Sequence, residues 1–128
     1  MPIDPKAQGL LSIQIDACAD ALPDLIRTTR ARSNAAIVAG DIDSATSLDA
    51  LAQRYSQQFA TVLQHQLVQI DDSDQMKDLI KQFADVNRTI NDELQSISDI
   101  KRFIEIGTGV ANTLDQAIGI ALKAAKFV

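Results

Sequence analysis

The chain is predicted to be an all-α protein, an antiparallel four-helix bundle formed by one domain spanning residues 1–128. Three observations carry that prediction. Between Met76 and Ala125, apolar or small residues recur in steps of three and four. They are Met76, Leu79, Phe83, Val86, Ile90, Ile97, Ile100, Ile104, Gly107, Ala111, Leu114, Ile118, Ala121 and Ala125, with Glu93 alone out of place and Leu94 beside it to fill the gap. That spacing is one face of a helix. The same spacing recurs in two earlier stretches. Finally, hydrophobic residues make up 46% of the chain but aromatics only 4%, with no Trp. The core must therefore be built from Leu, Ile, Val and Ala, as suits helix-on-helix packing, and 128 residues bury such a core without disulfide or metal staples.

The first helix starts at Asp4–Pro5, an N-cap acceptor followed by a proline at the first helical position. Leu11, Ile15, Cys18, Leu22, Leu25 and Thr29 form its buried stripe. Pro23 falls inside the stripe, and because Leu22, Leu25 and Ile26 stay in phase, a helix kinked at Pro23 is expected rather than two helices. Ala35 to Ala39 extend it and Gly40 stops it. The Asp-, Ser- and Thr-rich run Asp41 to Ser47 supplies caps for a second helix, whose stripe is Leu48, Ala52, Tyr55, Phe59, Val62, Leu63, Leu67 and Ile70. Asp71–Asp72–Ser73–Asp74 is a polar break, with Asp72 or Ser73 capping the third helix.

Unbroken, the long stripe would make a helix of roughly 75 Å, about twice the length of its neighbours. It must therefore divide. Ser96–Ile97–Ser98–Asp99 would give four helices of similar length. Gly107–Thr108–Gly109 carries the stronger breaker chemistry. The glycines are preferred, which places the connections near 40–43, 71–73 and 107–109. Opposite the stripe, Asp78 with Lys81, Asp85 with Arg88, Arg88 with Asp92 and Lys101 with Glu105 stand at helical spacing. Such pairs add about 0.2–0.5 kcal/mol each and mark a water-facing surface.

A net charge of −5 argues against nucleic acid, which requires clustered excess cation. Arg27, Arg30 and Arg32 are the one basic cluster, preceded by Asp16, Asp20 and Asp24. A single cysteine, Cys18, excludes an internal disulfide framework and reads as a buried thiol. No stretch resembles a signal peptide or approaches 18 uncharged apolar residues, so no membrane span and a cytoplasmic location are expected.

Candidate chemistry is sparse. His65 is the only histidine. A small acidic bundle with one histidine resembles histidine phosphotransfer domains, but His65–Gln66–Leu67–Val68–Gln69 lacks the lysine three residues on and the glycine after it. His65 reads as a solvent-facing residue. Bundle di-iron sites require paired Glu-x-x-His motifs, which one histidine with Glu93 and Glu105 as the only glutamates cannot supply. Asp16, Asp20 and Asp24 share one face at spacing four and are the candidate ligands for Mg²⁺ with an anionic partner. Asp41–Ile42–Asp43 opens like a calcium loop, but Ala45 and Ala52 occupy ligand positions. Gly107–Thr108–Gly109 lacks the strand and lysine of a phosphate loop and reads as a helix break or a close helix crossing.

The C-terminal segment is the most apolar. Val110, Leu114, Ala117, Ile118, Ala121, Leu122 and Ala125 form a wide face, of which Val110, Leu114, Ile118 and Leu122 are the expected partner-binding residues. The expected function is a non-catalytic interaction or assembly module acting through an apolar helix face, with a second copy of the chain or another protein as partner and no cofactor. The alternative is a small metal-dependent enzyme or ligand sensor built on the aspartate row.

Overall fold

The computed structural model describes residues 5–64, 69–70 and 73–126. Four helices dominate it: α1 (Pro5–Val38), α2 (Ile42–Gln64), α3 (Ser73–Arg88) and α4 (Ile100–Ala124). A π-helical turn, Thr89–Glu93, and a 3₁₀ turn, Leu94–Ser96, extend α3. Two short strands, β1 (Gln69–Ile70) and β2 (Ala125–Lys126), pair antiparallel with Gln69 opposite Lys126 and Ile70 opposite Ala125. The helical periodicities gave no sign of this ladder.

α1 runs as one helix through Pro23. The ring removes one donor, which leaves the Ala19 carbonyl without its usual partner four residues on. Leu11, Ile15, Cys18, Leu22, Leu25, Thr29, Ser33 and Ala36 are all buried, so one continuous stripe spans the proline. The polar members of the stripe are paired. Thr29 donates to the Leu25 carbonyl at 2.7 Å, and the Ser33 hydroxyl lies 2.7 Å from Asp49 Oδ1 and 3.2 Å from the Ala45 carbonyl, across to α2. The expected cap at Asp4 lies outside the described residues.

Gly40, at φ 83°, ends α1 in the left-handed region, where a side chain would strain the backbone. Gly40 N–H donates to Ile37 O at 3.0 Å and Asp41 N–H to Ala36 O at 2.8 Å, which closes the last turn. The Asp41 side chain then opens α2 by accepting the Ser44 N–H at 3.1 Å. Hydrogen bonds from Ser44, first from its side chain and then from its backbone, with the charge of Lys101 adding to them, hold the Asp41 carboxyl below its ordinary value.

The long stripe divides at residues 97–99 and not at 107–109 as the glycines suggested. Ile97 turns to extended backbone, with φ −81° and ψ 118°. Asp99 caps α4, accepting the Lys101 N–H on its side chain at 3.0 Å and the Phe103 N–H on its carbonyl at 2.9 Å. α4 continues through Gly107 and Gly109 because Gly107 has a packing role. A Cβ there would lie 2.8 Å from the Tyr55 hydroxyl and 3.0 Å from Leu51 Cδ2. Glycine in a helix interior costs roughly 1 kcal/mol, a local penalty that packing overrides. The π turn settles the flaw at Glu93. Leu94 N–H reaches back to the Thr89 carbonyl, Leu94 is buried beside Ile90, and Glu93 faces water.

Each helix packs on two others: α1 on α2 and α3, and α4 on α2 and α3. The order around the bundle is therefore α1–α2–α4–α3. Directions alternate along the chain, so the neighbours α2 and α4 run the same way. Tyr55 bonds to Gly107 and Gln58 to Ala111, both advancing together. α1 and α3 form the other same-direction pair, joined by Asn87 on Gln14. At one end the Arg32 guanidinium sits 4.4 Å from the Phe103 ring centroid.

Gly107→Ala is expected to destabilise the chain by about 1–3 kcal/mol, the usual cost of overpacking. In a Tyr55→Phe background the same substitution should cost clearly less, because the hydroxyl that Gly107 clears is gone. Thermal unfolding of the four proteins checks this. Equal costs in both backgrounds would mean that the hydroxyl is not what the glycine accommodates.

Candidate functional site

The α4 face expected to bind a partner is largely turned inward. Val110 and Leu114 lie in the chain's own core and Ile118 packs against it, because α4 fills the corner between α2 and α3. The side chain of Leu122 lies outside the described residues. Three other large apolar side chains are exposed close together in the chain.

Those side chains stand at the α1–α2 tip. Ile37 is 50% exposed, Val38 90% and Ile42 59%, on either side of the Gly40 turn. Ala36, one residue before, is fully buried, so the boundary between core and tip is sharp. Ala35 and Ala39 are also exposed, and Asp41 and Asp43 flank Ile42 in the chain. Between the first turns of α2 and α4, a groove of about 220 Å³ lies beside Asp43, Ser44, Ser47, Lys101 and Ile104. An apolar patch with a polar rim is the pattern of an interaction surface. Full burial of a large aliphatic side chain is worth about 1.5–3 kcal/mol, which a docked surface would recover in part. A second, smaller apolar pair, Leu10 and Ile13, is exposed one turn apart near the start of α1.

The signal for the tip was available in the sequence. Turns that face water carry polar residues, and here Ile37, Val38 and Ile42 bracket a glycine turn instead. Reading Ala35 to Ala39 only as a helix extension missed it.

Asp16, Asp20 and Asp24 are exposed on α1, as their spacing requires. Each step of four residues climbs about 6 Å along a helix, too far for one ion to touch all three carboxylates. Asp24 is also ion-paired with Arg27 on the next turn. Among the described residues, no group of three His, Cys, Asp or Glu side chains is arranged to hold a metal ion. His65 lies outside the described residues.

A second groove, of about 320 Å³, follows the π turn between α3 and α4. Its rim carries Asp85, Glu93 and Glu105 and its floor Val86 and Val110. Arg88 lies 3.5 Å from Asp85 on the α3 side.

Among the described residues, the densest polar contacts lie on the α2–α4 seam. Arg54 donates to Asp115 Oδ2 from Nε at 3.1 Å and from a terminal nitrogen at 2.6 Å, and to Asn112 at 2.8 Å. Gln58, itself buried, donates to Asp115 Oδ1 at 2.7 Å and to the Ala111 carbonyl at 2.9 Å. Partial burial pushes the Asp115 carboxyl up, but hydrogen bonds from Gln58 and Arg54, with the Arg54 charge, outweigh it and hold the group below its ordinary value. Burial pushes the Tyr55 hydroxyl up, with Arg54 opposing weakly, so it stays a hydrogen-bond donor to Gly107 at 2.6 Å. The seam fastens two helices together and uses its charges internally. Cys18 is buried with its thiol pushed up to about 12, far from the thiolate a nucleophile requires. No helix among the described residues is long and apolar enough to cross a membrane.

Two measurements follow from these groups. At pH 8 the Cys18 thiol should resist a thiol-reactive dye in the native protein and react fully once the chain is unfolded in guanidinium; rapid native labelling would contradict its burial. Asp41 and Asp115 are both depressed in the fold, so the stability they add is complete above about pH 4 and is lost as the pH falls through their folded values. Asp115→Asn should therefore lower Tm at neutral pH, yet lose less Tm than the parent between about pH 4 and pH 2. Parallel acid branches would assign the acid response to other carboxyls. No protein-family model, curated protein or solved structure matches the chain.

Proposed function

We propose that this protein is a non-catalytic interaction or assembly module that docks through the apolar α1–α2 tip. The observation that carries the reading is the exposure of Ile37, Val38 and Ile42 together on one turn. The bundle already buries its long stripe within itself, so these side chains are not needed to complete the core. The turn that presents them is capped on both sides by Gly40 and Asp41. A second copy of the chain is the first partner to test, since an apolar patch complements itself across a two-fold axis.

Solution mass by light scattering during size-exclusion chromatography, across a wide concentration range, tests this. The parent chain should form a dimer or larger species, and Ile37→Lys/Val38→Lys should be monomeric at the same concentrations with an unchanged helical circular-dichroism signal. A parent that is monomeric throughout would remove self-assembly. A parent that assembles equally well with both substitutions would remove the tip as the surface.

A further inference from the structure

Four helices of alternating direction admit a second order around the bundle. In the order α1–α2–α3–α4 every neighbouring pair would be antiparallel, which suits the helix dipoles better. The connection between α2 and α3 does not choose between them. Its eight residues, 65–72, can span about 26–29 Å, whereas adjacent helix axes lie about 8–10 Å apart and diagonal ones about 11–14 Å. Both orders also keep the α1–α2 and α3–α4 pairs. They differ in the other two contacts, which are α2 with α4 and α1 with α3 in the observed order, and α2 with α3 and α1 with α4 in the alternative.

Both observed contacts carry buried polar side chains within the apolar core. The Gln58 amide donates to the Ala111 carbonyl and Tyr55 to the Gly107 carbonyl, both from α2 to α4. Asn87 donates from α3 to the Gln14 carbonyl at 3.0 Å and to its side-chain oxygen at 3.1 Å, on α1. Three buried side chains thus reach main-chain carbonyls of the neighbour that only the observed order supplies. Two of them do so at a cost. Gln58 Oε1 and Asn87 Oδ1 are buried and find no partner among the described residues. A half-satisfied amide is worse for stability than a well-packed aliphatic side chain, so its contribution lies in selecting one arrangement, as a lone polar residue selects the register of a coiled coil.

We infer that Tyr55, Gln58 and Asn87 are the determinants of helix order, and that they direct the bundle into α1–α2–α4–α3 against its all-antiparallel alternative. The inference is independent of what docks at the tip.

Spin-label distances test it on the full chain in a Cys18→Ala background, with one label pair at Gln57 and Gln116 (α2–α4) and another at Asp20 and Gln116 (α1–α4), all exposed positions. The parent should give a single distance for each pair. The variant Tyr55→Phe/Gln58→Leu/Asn87→Leu should give a second population in both, the α2–α4 distance lengthening as the α1–α4 distance shortens. Single, parent-like distances in a folded triple variant would overturn the inference. Should the triple variant lose its helical signal, Gln58→Leu and Asn87→Leu are measured singly. A second population in either supports selection, and parent-like distances in both overturn it.

Discussion

Everything in this bundle is organised around the place where α2 and α4 touch. Gly107 has no side chain, so the Tyr55 ring can lie against α4 and its hydroxyl can reach the Gly107 carbonyl. That approach sets the register of the two helices. One turn further on, Gln58 meets Ala111, and on the outer edge Arg54 meets Asn112 and Asp115. The energetics are asymmetric. Each hydrogen bond adds about 0.5–1.5 kcal/mol net, but a buried tyrosine hydroxyl without an acceptor would cost about 1–3 kcal/mol. A bundle in which α2 lay away from α4 would have to absorb that penalty, so this contact favours α4 as the second neighbour of α2. With α2 beside α4, α1 is left to pack on α3, and Asn87 serves that side as Gln58 serves the other.

The stripes were legible because burial imposes a period, and the period survives even where local chemistry opposes it. Pro23 lies within α1 without displacing the phase of Leu22 and Leu25. Asp41 was legible as cap chemistry, and the structure uses it as a cap. The division of the long stripe was misread because glycine has two physical meanings, a weak helix former and a residue of no width. Propensity speaks for the first. The position of Tyr55, 52 residues away in the chain, decides for the second, the close helix crossing. Local sequence holds no trace of such a distance.

The candidate site shows the same limit from the other side. Val110 and Leu114 belong to an apolar face too wide for one neighbour, which invites a partner, but α4 has two neighbours within the chain and uses the width on them. Gln58 looks like an ordinary solvated glutamine on a helix and is buried. The aspartate row on α1 was placed correctly on one exposed face, while its step of one turn per carboxylate spreads the charges along the helix. What a sequence conceals here is which helix lies opposite which, and both the surplus apolar face and the buried amides depend on that.

The α1–α2 turn has one more consequence. Asp41 serves two helices at once, its N–H closing α1 and its carboxylate opening α2, with one glycine between it and Ala39. A turn held from both sides has no slack, so Ile37, Val38 and Ile42 are carried on backbone that is already ordered. Fixing a free loop residue costs about 1–2 kcal/mol. A surface that settles on this tip is spared that loss of backbone freedom, and modest apolar contact there translates into residence time more directly than it would on a flexible loop.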